Sequence, residues 1–400
     1  MRYSTSKNSL MKTLLHFSIL FALLFINGCV NKIEQENNSK YMHNMALHDI
    51  SVTYINVGYA DAILIKIDDL AYMIDTGSKS SVPALYGALA LSDIEKINGV
   101  FLTHTHSDHI GGMKALADKY EVEMVYSSQL SENKKNGDNK IDNLVKKLGL
   151  PQSKLSAGDM IELVPGIFFE VIGPLKLNEQ NDNDNSLVLR LYVNDKIFLF
   201  TGDMQFSEEK TLMEEGIDLS ADVLKVGNHG NPDATSKEFA NLVSPEIAII
   251  STDKSDDADS ANKSVKSNLK DARIFITENF IRGIIIRPRG VRDIQVSELK
   301  PKYSNADIEI LEIDKTAQNI TIINNGEKVD LSGYYIFSEK GSEIFTFNEG
   351  STLESGQKLN VICSKREGEF IWRDKKVWNT KKEDFGVLYD CYGNELSRKK

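Results

Sequence analysis

Hydrophobic and polar positions follow one pattern from about residue 50 to residue 290 and another after residue 300. In the first part, short apolar runs rich in β-branched residues, such as ISVTYI and DAILIKI, alternate with longer amphipathic stretches. The short runs predict strands, whereas SVPALYGALALSDI, GGMKALADKY and IDNLVKKLGL predict helices. Two strand-rich halves with helices beside them indicate an α/β fold in which one sheet packs on another and helices form the outer layers.

Helical periodicity disappears in the last hundred residues. IEILEID, NITIINNG and QKLNVIC are short apolar runs separated by Gly, Asn and Asp, a spacing typical of a small all-β sandwich. The polar stretch SELKPKYSNAD marks the change between the two patterns. We therefore predict an α/β domain over residues 49–292, a linker over 293–305 and an all-β domain over 306–398.

The N-terminus has the composition of an export signal. Three basic residues precede the apolar run LLHFSILFALLFI, which is shorter than the roughly 20 residues of a membrane-spanning helix. The run ends in Ile26-Asn27-Gly28-Cys29, which resembles the lipobox of bacterial lipoproteins. That resemblance implies removal of residues 1–28, a lipid on Cys29, a polar tether over 29–48 and an extracytoplasmic, membrane-anchored protein. A plain secretory signal is the alternative, and it also implies export.

Composition and charge narrow the class of protein. With 41% hydrophobic and 26% charged residues, the chain has the composition of a soluble globular protein. A formal charge of -11 disfavours binding to nucleic acid or anionic lipid through bulk electrostatics, although a local basic patch remains compatible with it. Cys363 and Cys391 could pair outside the cell or remain free thiols, and their spacing does not decide between the two.

The histidines are concentrated in one short segment. Although the chain has 7 histidines, LTHTHSDHIGG alone contains His104, His106 and His109, together with Asp108. Residues two apart in extended chain point to the same side, so His104 and His106 are expected to face one point beyond the preceding strand. Asp108 and His109 would begin a helix, with Gly111-Gly112 permitting close backbone approach. Imidazole and carboxylate ligands of this kind predict a site for two metal ions.

The segment HTHSDH resembles the HxHxDH signature of the metallo-β-lactamase fold, an αββα sandwich. Supporting motifs follow in the family's order: Asp75 in MIDTG, Asp203 in FTGDM and His229 in VGNHG. The resemblance covers roughly residues 50–290 and implies two divalent metal ions, zinc first and manganese as the alternative. Such ions activate water and stabilise charge on a phosphoryl or carbonyl oxygen.

The same resemblance implies a role for each motif residue. His104 and His106 would bind the first ion; Asp108, His109 and His229 would bind the second; Asp203 would bridge both. Asp108 and Asp203 are accordingly the candidate catalytic residues, and Asp75 would orient a ligand imidazole. A lactamase-type third ligand for the first ion is missing, since no histidine lies between Ile110 and Gly202. Asp184 or Asn185 is the candidate replacement, and an Asn/Asp-rich turn is the alternative interpretation of that run.

Within this superfamily, YINVGYADAILIKI and VLKVGNHG are most similar to the ComEC-type competence proteins. The chain departs from their pattern with VGYADA for VGQGDA, NHG for HHG, and KSDDADSANK in place of a YGHP motif. The resemblance implies a nuclease-like phosphodiesterase, with DNA among its candidate substrates. Two alternatives stay open: an enzyme acting on wall polymers, as the similar phosphorylcholine esterases do, and a non-enzymatic surface protein with a relic metal site. A true β-lactamase is disfavoured by the missing histidine.

The C-terminal part resembles a lamin-tail domain in VDLSGY, EIFTF and LYDCYGNELSR. This implies an immunoglobulin-like fold that binds a surface polymer or protein and performs no chemistry. Basic residues surround Trp372 and Trp378, a combination that could contact a polyanion. Interspersed acidic residues favour the other interpretation, a mixed solvated surface with both tryptophans in the core.

Overall fold

The computed structural model describes residues 48–131, 139–289, 293–363, 370–374 and 376–400. The predicted signal peptide, the lipidation site Cys29 and the tether up to residue 47 lie outside these residues. So do Lys365, Arg366 and Lys375 of the basic C-terminal segment. Asp49–Lys400 forms one compact unit. No helix in the described ranges has the length and apolar character needed to cross a membrane.

The α/β part contains strands and helices in alternation. The strands are β1 (Ile50–Ile55), β2 (Ile63–Ile67), β3 (Leu70–Ile74), β4 (Lys96–Ile97), β5 (Gly99–Leu102), β6 (Glu121–Val122), β7 (Val125–Ser128), β8 (Gln152–Leu155), β9 (Met160–Val164), β10 (Ile167–Gly173), β11 (Val188–Val193), β12 (Lys196–Phe200), β13 (Val223–Lys225), β14 (Ile247–Ile250), β15 (Arg273–Ile276), β16 (Gly283–Arg289) and β17 (Asp293–Glu298). The helices are α1 (Val82–Leu91), α2 (Ser107–Ile110), α3 (Met113–Lys119), α4 (Lys140–Leu148), α5 (Phe206–Glu214), α6 (Lys237–Val243) and α7 (Lys263–Asn268).

Two large sheets face each other across the main core. Among the described residues, the first sheet has the order β17-β16-β1-β2-β3-β5-β7-β8 and the second the order β15-β14-β13-β12-β11-β10-β9. Apolar side chains of both sheets, Phe101 and Phe169 among them, form the core between them. Helices α1, α3 and α4 pack on the outer face of the first sheet, and α5, α6 and α7 on that of the second. The predicted αββα sandwich is therefore confirmed.

Parallel strand pairing brings several loops to one edge of the sandwich. In the first sheet β3 and β5 are parallel, and in the second β12, β13 and β14 are parallel. Loops that follow the carboxyl ends of parallel strands emerge at the same edge, where α/β proteins commonly bind ligands. The loops after β3, β5, β12 and β13 carry, in order, the four predicted motifs containing Asp75, the histidine cluster, Asp203 and His229.

The predicted boundary of the α/β domain is too early. Asp293–Glu298, assigned to the linker from sequence, forms β17 and pairs antiparallel with β16 at the edge of the first sheet. Leu299 continues the domain, since its side chain is buried among residues of the first sheet and its helices. The half-exposed pattern of DIQVSE is typical of an edge strand, which the composition shift concealed.

The C-terminal part is all-β, as predicted. Its strands are β18 (Ile308–Asp314), β19 (Asn319–Asn324), β20 (Val329–Asp330), β21 (Tyr335–Ser338), β22 (Ile344–Thr346), β23 (Thr352–Leu353), β24 (Lys358–Cys363), β25 (Ile371–Trp372), β26 (Gly386–Tyr389) and β27 (Glu395–Lys399). Sheets of order β18-β19-β24-β25 and β22-β21-β26-β27 enclose a core in which Trp372 and Trp378 are buried. The tryptophans are thus core residues, and Cys363 and Cys391 are free thiols.

The all-β part packs on helix α1. The Tyr335 hydroxyl donates to the Pro83 carbonyl oxygen at 3.2 Å, and its ring meets the Tyr86 ring edge-on at 5.5 Å between centroids. Gly87 faces the turn after β26, where a Cβ would lie 2.5 Å from the Tyr392 carbonyl oxygen. The absence of a side chain at Gly87 therefore permits this close packing.

Replacing Gly87 by alanine is expected to lower the free energy of unfolding by about 1–3 kcal/mol, because backbone atoms must move to relieve the overlap. The higher helix propensity of alanine offsets up to about 1 kcal/mol of this loss. Denaturant unfolding measures the change, and limited proteolysis should show faster cleavage between residues 299 and 307. A Gly87→Ala protein as stable as the wild type would show that the close approach imposes no constraint.

Candidate metal centre

Two of the residues predicted for the site sit in strained backbone. Asp75 follows β3 with φ 57°, and His229 follows β13 with φ 53°. A non-glycine residue with positive φ is uncommon, and such residues concentrate where the fold must aim a side chain. Gly112, which precedes helix α3, approaches the loop after β3 very closely. A Cβ at position 112 would lie 2.2 Å from the Thr76 carbonyl oxygen. Close backbone contacts therefore fix the positions of the loops that carry the motif residues.

The structure brings the motif residues together in two overlapping groups. His104, His106 and Asp203 form the first group, and Asp108, His109, Asp203 and His229 form the second. Within each group the nearest ligand atoms lie within 4.8 Å of one another. Asp203 belongs to both, which is the position that the resemblance assigned to a bridging carboxylate.

The hydrogen bonds of the imidazoles define their orientation. His109 Nδ1 lies 2.7 Å from Asp75 Oδ2, and His229 Nδ1 lies 2.8 Å from the Ser251 carbonyl oxygen. Both oxygens are acceptors, so each Nδ1 carries a hydrogen and each Nε2 points into the cluster. Asp75 thus occupies the orienting position predicted for it.

His104 is oriented by a relay through a hydroxyl group. The Thr103 hydroxyl donates to Asp75 Oδ2 at 2.8 Å, so it accepts a hydrogen bond from His104 Nδ1 at 3.1 Å. The Thr103 backbone N–H also donates to Asp75 Oδ1 at 2.8 Å. One carboxylate, Asp75, therefore orients His109 directly and His104 through Thr103.

The donor set fits divalent metal ions. Within the described residues, the buried His104 Nε2, His229 Nε2 and Asp203 Oδ1 have no hydrogen-bond partner. Burying polar atoms without partners is unfavourable unless another species satisfies them. Imidazole nitrogens that converge beside carboxylates are suitable ligands for zinc or manganese once they are deprotonated.

Asp203 presents one oxygen to the histidines. Its Oδ2 lies 3.0 Å from His109 Nε2, 3.3 Å from His229 Nε2 and 3.9 Å from His104 Nε2. Asp108 Oδ2 lies 3.3 Å from His229 Nε2 on the more exposed side of the cluster. The second group thus has four protein ligands, whereas the first has three including the shared Asp203.

Neighbouring charges shift the pKa values at the centre. Burial opposes protonation of His229, but Asp203 and Asp108 outweigh it and raise the pKa of His229 to about 9. The pKa of His109 is also held well above its usual value, by Asp203 and Asp75 against the effect of burial. Burial raises the pKa of Asp108, but the neighbouring imidazoles of His229 and His109 outweigh it and lower that pKa to about 2. His109 and His229 are therefore protonated near neutral pH when no metal is bound.

Metal binding near pH 7 is expected to release about two protons, because both imidazoles must lose one to become ligands. The release should fall as pH rises through about 9, where His229 is already neutral in the metal-free protein. Calorimetric titration with zinc in buffers of different ionisation enthalpy gives the number of protons. A binding enthalpy that does not depend on the buffer at pH 7 would contradict the protonated state of the two imidazoles.

The candidate third ligands do not reach the first group. Asp184 Oδ1 accepts hydrogen bonds from the backbone N–H groups of Gln205 and Glu208, at 3.0 and 3.3 Å, and so caps helix α5. Asn185 bonds to the loop that contains Asn178. The prediction that Asp184 or Asn185 completes the first group is therefore not supported, and the turn interpretation describes both residues.

Two charged residues at the centre had not been singled out from the sequence. Asp61 and Lys225 are each 1% exposed and form an ion pair beside Asp203. Burial lowers the pKa of Lys225, but Asp61 and Asp203 outweigh it and raise the pKa above its usual value. The sequence feature that could have identified the pair is the lysine in the apolar run VLKV. A charged residue rarely occupies a central buried strand without a partner.

Comparison with known proteins agrees with this geometry. The sequence profile of the metallo-beta-lactamase superfamily matches residues 55–253, so the chain contains a domain of that superfamily. The curated relatives include ComE operon protein 3 of Bacillus subtilis (strain 168), which is 26% identical over 277 residues, covering 64% of this chain and 35% of that protein. Competence protein ComA of Neisseria gonorrhoeae is 26% identical over 210 residues, covering 51% of this chain and 27% of that protein.

The chain spans about a third or less of the length of these two relatives. Among solved structures, the metallo-beta-lactamase fold protein YhfI from Bacillus subtilis aligns with 60% of this chain and 100% of its own. The alignment has 13% sequence identity and a TM-score of 0.42.

Proposed function

We propose that the α/β domain is a metal-dependent hydrolase with two divalent ions, acting on phosphodiesters. The observation that carries the proposal is the convergence of the buried Nε2 atoms of His104, His109 and His229 on Asp203 Oδ2. His106 and Asp108 complete the two groups. Zinc is the expected ion, with manganese as the alternative, because the donors are mixed nitrogen and oxygen.

Two bound divalent ions would supply an activated water and positive charge for the developing phosphoryl oxyanion. The chain's own residues explain why the ions would sit in fixed positions. Asp75 and the Ser251 carbonyl hold the imidazoles in one tautomer, so their Nε2 atoms need no reorganisation. His106 and Asp108 are the least buried members, so substrate would approach from their side.

Turnover of bis-p-nitrophenyl phosphate by protein loaded separately with zinc and manganese tests the proposal. Metal-dependent release of nitrophenol that disappears in His106→Ala would support it. His48→Ala is a matched control, since His48 lies in the predicted tether. Bound metal without turnover would favour another ester class or the alternative of a surface binding protein with a relic metal site, and absence of bound metal would contradict the proposal.

DNA is the first natural substrate to compare, because one of the curated relatives is named competence protein ComA. A nuclease would bind a polyanion, and a protein with a net charge of -11 does not attract a polyanion through bulk electrostatics. Nuclease assays with single- and double-stranded DNA address this possibility directly.

A wall-polymer phosphodiester is the second candidate, and one feature of the site favours it. The acidic segment Asp253–Asp259 lies beside the centre, because Asn231 donates to both Tyr59 and Asp257, at 3.0 and 3.1 Å. The Tyr59 ring in turn packs on the His229 ring at 4.2 Å between centroids. Carboxylates there would repel a polyanion more than a substrate that carries a cation, so choline phosphodiesters belong in the same comparison.

The N-terminal motif supports a site of action outside the cell. An exported chain with lipid on Cys29 would place the hydrolase on the outer surface of the cell membrane, with the all-β part as a lamin-tail module binding a surface polymer or protein. Metabolic labelling with a fatty acid tests the anchor. Label lost in Cys29→Ser and retained in Cys391→Ser would support it, whereas label that persists in Cys29→Ser would contradict it.

A further inference from the structure

Lys225 is a buried cation at a centre built for metal ions. It ends strand β13, four residues before His229, and its side chain is 1% exposed. An ammonium group is not a metal ligand, and two divalent ions nearby would repel it. Burial of a charge is unfavourable unless partners compensate for it, so the position of Lys225 requires a reason.

Lys225 contacts Asp61 and the loop that carries Asp203. Its Nζ pairs with Asp61, donates to the Gly202 carbonyl oxygen at 3.0 Å, and lies 3.7 Å from Asp203 Oδ1. Gly202 immediately precedes Asp203, so the ammonium holds both the backbone and the side chain of the bridging position. Asp61 balances the charge of Lys225, which leaves the pair neutral.

The two oxygens of Asp203 consequently have different surroundings. Oδ2 faces His109, His229 and His104, whereas Oδ1 has no hydrogen-bond partner within the described residues and lies nearest to the ammonium. An ammonium beside one oxygen disfavours rotation that would exchange the two. The oxygen that faces the imidazoles is therefore selected before any metal binds.

We infer that Lys225, anchored by Asp61, is a positioning residue that fixes Asp203 so that Oδ2 faces the imidazoles that would hold the two ions. The inference deepens the proposed function and rests on it, because it assumes that the centre binds metal. Its consequence is that the pair determines how tightly the more weakly held ion binds, through the orientation of Asp203 and independently of net charge.

The double variant Asp61→Asn/Lys225→Met separates orientation from charge, since it removes one negative and one positive charge together. Metal-binding affinity is measured by competition with a chelator, and the denaturant midpoint is measured on metal-free protein. We expect the weaker metal affinity to fall at least about tenfold while the midpoint changes little, since replacing a buried ion pair by neutral side chains is often neutral. Unchanged metal affinity would overturn the inference, whatever happens to the midpoint.

A matched control is available on the neighbouring strand, where Lys196 Nζ pairs with Asp222 at 3.0 Å away from the cluster. Asp222→Asn/Lys196→Met should leave metal affinity unchanged; an equal loss there would overturn the inference, because any lysine–aspartate pair would then have the same effect. If the first double variant does not fold, Lys225→Arg is used. Lys225→Arg keeps the charge but alters its placement, and it should also lower the weaker metal affinity; unchanged affinity would again overturn the inference.

The outcomes also distinguish this inference from the proposed function. A wild-type protein that binds two ions but does not turn over a phosphodiester would contradict the substrate class only, because the chelator competition still measures the effect of the pair. A wild-type protein that binds no divalent ion would overturn both.

Discussion

Replacing Asp203 by asparagine is expected to lower phosphodiester turnover by about 10³-fold, which corresponds to about 4 kcal/mol of transition-state stabilisation. Asp203 Oδ2 lies within 4 Å of three imidazole nitrogens, so its charge contributes to both ion positions. An amide oxygen carries no negative charge and holds two cations poorly. Metal analysis after dialysis should show at least one ion fewer per chain than in the wild type.

Asp184→Asn is the matched control for this prediction. Asp184 is also a buried aspartate, but it caps helix α5 through the N–H groups of Gln205 and Glu208. The control should lose up to about 1 kcal/mol of stability and keep its metal content and turnover. Equal losses of metal in the two variants would contradict the assignment of Asp203 as the shared ligand and restore Asp184 as a candidate.

Asp75→Asn should weaken metal binding by about 10–100-fold, the usual effect of removing a partner that orients metal ligands. The carboxylate accepts from His109 and from both the N–H and the hydroxyl of Thr103. Asparagine tolerates the positive φ of this position, so the backbone should be retained while the charge that orients His109 is lost. Isothermal titration with zinc measures the affinity, and circular dichroism checks the fold.

Asp93→Asn is the control for the backbone conformation. Asp93 has φ 53°, close to the 57° of Asp75, but it is exposed at the end of helix α1. The same substitution there should leave zinc affinity unchanged. If Asp75→Asn also left it unchanged, the hydrogen-bond relay from Asp75 to His109 and His104 would be irrelevant to metal binding.

Local patterns predicted most of the elements near the site. The hairpin of β11 and β12 turns at Asn194, whose positive φ suits a turn residue, and β14 is a continuous apolar run typical of a buried parallel strand. Strands β8, β9 and β10 were not predicted, and β17 was assigned to a linker. Strands β8, β9 and β17 lie at the edge of a sheet and are only partly buried, so their apolar periodicity is weak.

The residues of the candidate site also differ in how they could be predicted from the sequence. His104, His106, Asp108 and His109 lie within six residues, so local geometry and composition were enough to indicate a metal site. Asp75, Asp203 and His229 were placed only through their resemblance to a family pattern. Asp184 has the right residue type in a polar segment, and nothing in the sequence shows that its oxygens are occupied by the N–H groups of a helix that follows it.

By itself the sequence determined the alternation of strands and helices, the all-β character of the C-terminal part and the histidine cluster, because each depends on residues close together in the chain. Only the tertiary structure decided which oxygen of Asp203 faces the imidazoles, which group orients His104, and why a lysine lies in a buried strand. Those features depend on residues such as Asp61 and Lys225, which are 164 positions apart in sequence and meet only when the two sheets pack together. Contacts of that separation arise from the packing of the whole core and leave no periodicity in the chain.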